Sequence, residues 1–168
     1  MVQPTNLNFL SPLNFRFSIK KTPNVDFFCT NVNIPGITLG ESDQESPLVR
    51  IPIPGDHISF NELTITFNVD EDMKNYKEMY DWITSLGFPE SFSQYPSRSA
   101  VATDPDLIYS DCTLSILSSK QNTVARIDFE DAYITSISDL AFSTNESDVV
   151  YVSCQASLRY KLYKLTLL

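Results

Sequence analysis

The chain has 168 residues and a formal net charge of −9, from 21 acidic and 12 basic residues. This charge argues against a protein that binds nucleic acid tightly, because neutralising phosphates requires a basic surface. It suits a surface that repels nucleic acid, although charge alone fits any soluble acidic protein. A single domain over residues 1–168 is the natural interpretation, since a domain of this size folds without metal or disulfide support.

In the first third of the chain, residues 1–12 are expected to be a flexible or partner-bound leader. The pattern that follows predicts a short hairpin. Apolar and polar residues alternate over 15–19, which is typical of a strand. A turn signal at 22–24 precedes residues 25–32, which we expect to return as a second strand paired with the first. The leader has neither the basic region nor the apolar core of a signal peptide.

Residues 39–54 are predicted to form a long exposed loop. Acidic residues crowd residues 39–47, and prolines interrupt residues 49–54, which suits an edge strand or an arm. Gly55 and Asp56 indicate a turn. A change in the alternation predicts a bend near Asn61 and Glu62.

A strand and a helix, adjacent in sequence, organise the chain. From Leu63 to Val69 apolar residues alternate with polar ones, which indicates a half-buried strand. The period then changes to that of an amphipathic helix between Asp70, which can cap it, and Gly87. The expected buried stripe comprises Met73, Tyr76, Met79, Tyr80, Ile83 and Leu86.

Residues 88–110 are expected to form a second long loop, rich in serine, proline and tyrosine. A structureless loop of about 20 residues is usually functional or ordered by a partner. The aromatic side chains within it are suited to an interface. They are equally suited to covering the domain's own core, and the sequence leaves both alternatives open.

The last third of the chain is predicted to be β-structure. Alternation over 112–116 and 125–129, around a polar turn, indicates a second hairpin. The run over 150–162 alternates throughout and predicts one strand well beyond the usual ~5–6 residues. So long a strand requires a large sheet, such as one shared between subunits.

No catalytic or ligand-binding constellation stands out. His57 is the only histidine and is expected at the surface, while Glu71 and Asp72 are explained by the helix start. The four glycines fit no phosphate-binding pattern. The three cysteines are expected to be buried thiols. The chain is therefore not expected to be an enzyme or to hold a cofactor or metal, and a monomeric sandwich that binds a small ligand would need a polar pocket that no pattern indicates.

The order of elements resembles the tail tube protein family of contractile-tailed bacteriophages. The resemblance rests on Phe-Arg-Phe-Ser-Ile at 15–19, the Ile-Pro-Gly-Ile break at 34–37, Leu-Thr-Ile-Thr-Phe at 63–67, Met-Tyr-Asp-Trp-Ile at 79–83 and the closing Leu-Arg-Tyr at 158–160. It covers most of the chain. The family includes the main tube subunit and the baseplate proteins that initiate the tube, which the sequence does not separate.

The resemblance implies a mainly β (α+β) fold of two packed antiparallel sheets, a β-sandwich, with one flanking helix. It implies hexameric rings whose strands join into an inner barrel and stack into a tube. Sheath and baseplate proteins surround the tube, and DNA passes through it without specific binding. The implied location is the virion tail, assembled in the host cytoplasm, with no membrane or small-molecule partner.

Two sets of site residues follow from the resemblance. The polar residues expected to face the lumen or solvent are Glu62, Thr64, Thr66, Asn68, Ser153, Gln155 and Ser157. A basic ring would retard DNA, so Arg159 and Lys161 are expected near a rim or paired with carboxylates. The residues expected to contact other subunits are Glu41, Asp43, Glu45, Arg50, Phe92, Tyr95 and Tyr109.

Overall fold

The computed structural model describes residues 9–87, 108–145 and 151–168. Its elements in chain order are β1 (Phe15–Ile19), α1 (Pro23–Phe28), β2 (Cys29–Val32), β3 (Ile37–Gln44), β4 (Ile51–Phe60), β5 (Leu63–Asn68), α2 (Lys74–Gly87), β6 (Ser110–Leu117), β7 (Thr123–Ile137), β8 (Ser153–Arg159) and β9 (Leu162–Leu167).

Within the described residues, seven strands form one antiparallel sheet that folds into two layers. The strand order is β1-β6-β7-β8-β5-β2, and β9 also pairs with β7. Residues 123–132 of β7 pair with β6 and β9, whereas residues 133–137 pair with β8. We call β1, β6, β9 and the first part of β7 the first layer, and β2, β5, β8 and residues 133–137 the second layer. The predicted mainly β, antiparallel architecture is confirmed, and the two-ended strand path is not a closed barrel.

Both layers pack onto one hydrophobic core. Alternate residues of β5 and β8 are fully buried, as period-2 alternation requires. They meet the buried faces of β1, β6 and β7, and α2 covers one side of the core with Met79 and Trp82. The largest fully buried apolar side chains are Phe17, Ile19, Leu63, Ile65, Phe67, Met79, Ile127, Phe129 and Leu158.

The predicted helix is present but begins later than expected. Asp70 caps it, because its Oδ1 accepts the N–H of Lys74 at 2.7 Å. Met73 has a φ of 55°, outside the right-handed helical region, so helical geometry begins only at Lys74. Tyr80 was expected on the buried stripe but is 51% exposed, whereas Asn75 is fully buried.

The predicted hairpin between residues 15–19 and 25–32 is wrong. Residues 23–28 form a second helix, α1, because Pro23 presets the backbone angle that suits a first helical turn and Val25 is fully buried. Only Cys29–Val32 is a strand, and it pairs with β5. The partner of β1 is β6, far along the chain.

Residues 39–54 are a hairpin rather than the predicted loop. β3 pairs with β4 as a separate two-stranded sheet, and every residue of β3 is exposed. Gly55 lies within β4 instead of forming a turn. A Cβ at Gly55 would lie 2.6 Å from the backbone oxygen of Gly40, so this close approach requires glycine. The predicted bend is confirmed, since β4 ends at Phe60 and β5 begins at Leu63.

The predicted single strand over 150–162 is also wrong in its length. The hairpin of β6 and β7 is confirmed, but the last run breaks between β8 and β9. At the break, the N–H of Lys161 donates to the carbonyl of Glu130 at 3.0 Å, which directs β9 onto the first layer. The longest strand is instead β7, with 15 residues, because it serves both layers.

Candidate functional site

Two neighbouring strands of the second layer bring the predicted polar residues together. Across β5 and β8, Thr64 lies opposite Ser157, Thr66 opposite Gln155 and Asn68 opposite Ser153. Directly paired residues share a face of the sheet, so all six side chains lie on one side. Their neighbours in sequence point into the core, which leaves these six half-buried or exposed.

Residues from the flanking strands extend this polar face. Asn31 of β2 lies opposite Thr66, and Ser136 of β7 lies opposite Ser157. Sequence reasoning missed both residues, because β2 was given the wrong bounds and a bulge interrupts the alternation of β7 between Ile134 and Ser136. We define the polar face as Asn31, Glu62, Thr64, Thr66, Asn68, Ser136, Ser153, Gln155, Ser157 and Arg159.

The two cations at the end of β8 and just after it are paired. The Nε of Arg159 lies 3.0 Å from Oε1 of Glu62, and the Nζ of Lys161 lies 3.7 Å from Oδ2 of Asp131. Both cations therefore have the carboxylate partners expected from the sequence. The polar face itself is net neutral, because Arg159 and Glu62 balance each other.

The outward face of the first layer carries more charged side chains, and these are paired with one another. Nε of Arg126 lies 2.8 Å from Oδ1 of Asp128, and Lys164 pairs with Glu130. Thr113 also donates to Asp128, at 2.9 Å. The sandwich thus presents one face rich in ion pairs and one face of mostly uncharged polar side chains.

The β3–β4 hairpin carries four predicted contact residues, all exposed. Glu41 and Asp43 lie opposite Pro54 and Pro52 and share their face, while Glu45 and Arg50 flank the turn. Ile51 and Ile53 lie on the other face of the tip, opposite Gln44 and Ser42. An isolated two-stranded hairpin is only marginally stable in water, so a partner would stabilise this one.

Four aromatic rings anchor the base of this hairpin. Phe60 packs against Tyr163 at 5.5 Å between ring centroids, and Tyr160 packs against Phe129 at 5.0 Å. The hydroxyl of Tyr160 donates to the carbonyl of Asn61 at 2.9 Å. Burial raises the pKa of Tyr160 to about 12, so the hydroxyl stays protonated and remains a donor. The base is therefore fixed while the tip is exposed.

The aromatic residues of the second predicted loop are only partly described. Tyr109 is 38% exposed, and its ring packs edge-to-face on Tyr133 at 6.1 Å. It therefore covers part of its own domain while keeping an accessible edge. Phe92 and Tyr95 lie outside the described residues.

The cysteines and the histidine form no reactive cluster in the described residues. Burial raises the pKa of the Cys112 thiol to about 12 and that of Cys29 to about 11, which keeps both thiols protonated. His57 is exposed on β4. No three metal-ligating side chains converge within the described ranges, and none of the described helices is long and apolar enough to span a membrane.

Comparisons with known proteins match nearly the whole chain. The family model "Phage tail tube protein" matches residues 4–166. The tail tube terminator protein of Enterobacteria phage T4 is 29% identical over 165 residues, covering 94% of this chain and 89% of that protein.

Solved structures share the fold. The tube terminating cap of the anti-feeding prophage has a TM-score of 0.68 at 12% identity, covering 99% of this chain and 97% of that chain. A chain from the sheath/tube terminator of the extracellular contractile injection system PVC has a TM-score of 0.66 at 14% identity, covering 96% and 99%. At these identities the likeness concerns the fold alone. With the family model spanning almost every residue, the chain is a structural component of the virion tail rather than an enzyme, and it belongs to the phage tail tube protein family.

Proposed function

We propose that six copies of this protein form a ring that ends the inner tube of a contractile tail, and that DNA passes through the ring without specific binding. The observation that carries the proposal is the mostly uncharged polar face of the second layer, whose one cation is paired with a carboxylate. The terminator from phage T4, related over most of both chains, favours the end of the tube over its length.

Two strand edges that have no partner among the described residues support the ring. The second layer has β2 at one edge and residues 133–137 of β7 at the other. Each strand of this layer is antiparallel to the next, so β2 runs opposite to residues 133–137. Joining the β2 edge of one copy to the β7 edge of the next continues the antiparallel order. Such head-to-tail contacts close into a ring and leave no open edge within it.

The width of the resulting barrel suits a nucleic acid duplex. With four strand segments from each of six copies, spaced by about 4.8 Å, the circumference is on the order of 115 Å and the diameter about 37 Å between backbones. Strand tilt widens this barrel and inward side chains narrow it. Half of the side chains of the polar face are the small residues Ser and Thr, which keep the narrowing modest.

The charge of the polar face suits passage rather than binding. Non-specific affinity for DNA comes from cations that replace counterions on the phosphates. The guanidinium of Arg159 is already paired with Glu62, so the face offers no surplus of positive charge. DNA would therefore slide along hydroxyl and amide groups without being held.

The hairpin is suited to contact the neighbouring ring. Its exposed tip carries the acidic residues Glu41, Asp43 and Glu45 together with Arg50. The other end of the hairpin is anchored by the packing of Phe60 on Tyr163. We assign the axial contact to this tip and further subunit contacts to Tyr109, with Phe92 and Tyr95 kept as predictions. Tube, sheath and baseplate proteins are the proposed partners, and assembly takes place in the host cytoplasm.

A repeating tube subunit and a tube-initiating baseplate ring are the alternative functions, since the same fold and polar face suit both. Electron microscopy over a range of concentrations, with the mass measured in parallel, separates them. Isolated rings that bind one end of preformed tubes support a terminator. Self-assembly into long hollow tubes assigns the repeating subunit, and binding of rings only to baseplates assigns the initiator. A monomer that ignores every tail protein contradicts the ring and favours a ligand-binding sandwich.

A further inference from the structure

A cleft lies at the open edge of the sandwich, between β1 and α1. It has a volume of about 490 Å³ and is lined by Phe15, Arg16, Phe17, Ser18, Pro23, Asp26, Phe27 and Cys29. Phe27 is 84% exposed at its rim. We call this cleft the β1–α1 groove. Its size suits a short segment of chain carrying one large side chain.

The backbone of β1 faces this groove. The carbonyl of Asn14 accepts from Leu117, and the N–H of Lys20 donates to Asp111. Hydrogen-bonded positions alternate along an antiparallel ladder, so the N–H and C=O groups of Phe15 and Phe17 point away from β6. Asp26 already satisfies the outward N–H of Ile19, at 2.7 Å. The remaining edge groups suit hydrogen bonds from an added segment.

The direction of the strands in the proposed ring indicates which segment could occupy the β1–α1 groove. Residues 133–137 of one copy lie antiparallel to β2 of the next, so β7 ends where β2 begins. β2 begins at Cys29, which lines the groove and directly follows α1. The residues that follow β7, 138–142, therefore emerge beside the groove of the next copy.

Residues 138–142 have a shape and charge that complement the groove. Phe142 is 74% exposed, and Leu140 packs against the core of its own subunit. The N–H of Ser138 donates to the carbonyl of Gln155 at 2.7 Å, which fixes the start of the segment. Asp139 and Arg16 are both exposed, and neither forms an ion pair within the described ranges.

We propose that residues 138–142 of each copy dock in the β1–α1 groove of the next copy, with Phe142 against Phe27 and Asp139 near Arg16. This contact depends on the ring proposed above. It adds a second contact between neighbouring subunits, beside the pairing of β2 with β7. Because Leu140 and Ser138 hold the segment in place beforehand, little ordering entropy is lost on docking.

Disulfide cross-linking tests the contact directly. The Phe27→Cys, Phe142→Cys double variant is made in a Cys29→Ser background, since Cys29 lines the same groove. Under mild oxidation of assembled rings we expect a covalent ladder up to the closed ring on non-reducing gels. The matched control pairs Phe142→Cys with Tyr80→Cys, which lies half-exposed on α2, and we expect no ladder.

Exchanging the charges of Arg16 and Asp139 provides a second test, in which Phe27 and Phe142 are left unchanged. We expect Arg16→Asp or Asp139→Arg alone to raise the concentration needed for ring assembly by about threefold to tenfold, and the combined exchange to restore it. If rings form normally but show neither the cross-linked ladder nor restored assembly on charge exchange, this contact is overturned. The proposed ring would not be affected by that result. Failure of the unmodified protein to form any ring, even with tail proteins, would overturn the proposed function itself.

Discussion

Asn75 joins the end of β5 to the start of α2. Its side chain is fully buried, its Nδ2 donates to the carbonyl of Asn68 at 2.8 Å, and its Oδ1 accepts the N–H groups of Tyr76 and Asp70 at 2.7 and 3.3 Å. One amide thus satisfies backbone groups on both sides of the strand-to-helix turn. The sequence pattern does not indicate this role, because an Asn on a helix stripe interrupts the apolar period.

We expect Asn75→Ala to lower the free energy of unfolding by about 2–3 kcal/mol, because several buried backbone groups lose their partner. Urea denaturation of the variant and the parent measures the difference. Asn145→Ala, at an exposed position, is the matched control and should change stability by less than about 0.5 kcal/mol. Equal losses for the two variants would show that the junction does not depend on Asn75.

Asp26 makes stability depend on pH. Burial is the main cause that raises its pKa from 3.8 to about 6. The folded protein therefore holds this proton more tightly than the unfolded chain. The resulting stability is complete below pH 3.8 and is lost as the pH rises through about 6.

The Asp26→Asn variant removes this dependence while keeping an oxygen that accepts the N–H of Ile19. We expect it to match the parent near pH 4 and to exceed it by about 1 kcal/mol at pH 7.5, a modest gain because solvent screens the half-buried carboxyl. Urea unfolding at both pH values, below the concentration of assembly, measures the gain. Parallel pH profiles for the two proteins would contradict this role.

At the scale of elements, strong local periodicity in the sequence correctly predicted strands and helices. The alternation of β5, the helical stripe of α2 and the β6–β7 hairpin were all predictable, because each buries one face against the core. α1 was not, since six residues are too short to establish a helical period. The break between β8 and β9 was hidden because alternation continues across it. It depends on long-range contacts, namely the hydrogen bond from Lys161 to Glu130 and the packing of Tyr160 and Tyr163 on Phe129.

The grouping of the polar residues of β5 on one side of the sheet follows from the same periodicity. Thr64, Thr66 and Asn68 alternate with core residues, so their common face follows from period 2. That β8 lies beside β5 is a long-range pairing which no local pattern specifies. The hairpin of β3 and β4 was missed because its prolines, acids and full exposure resemble a loop.

We expect deletion of Glu41–Glu45 to leave the body folded and to abolish binding to the tube. The hairpin tip is exposed and adds nothing to the core, so its loss should change the free energy of unfolding by less than about 1 kcal/mol. Circular dichroism with urea denaturation and sedimentation with preformed tubes measure the two effects. Lys120→Ser, in the exposed β6–β7 turn, is the control. Undiminished tube binding by the deletion variant would remove the hairpin from the interface.

At the scale of the whole molecule, the contrast between the two outward faces predicts which one the DNA meets. We expect Thr64→Lys with Thr66→Lys to slow DNA release from purified particles by tenfold or more, because two added cations per subunit attract the phosphates. Raising the salt concentration should restore much of the rate, since it weakens this attraction. Thr166→Lys with Asn122→Lys, outside the polar face, is the matched control. Unchanged release by the first variant would count against a channel lined by β5 and β8.

Electron cryomicroscopy of purified particles tests the central claim most directly, because it gives both the position of the protein in the tail and the direction of its faces. We predict one six-fold ring at the end of the tube, with the polar face on β5 and β8 directed into the channel and the charged face of β6, β7 and β9 directed outward. The same density repeated along the whole tube, or a ring whose charged face lines the channel, would contradict the account.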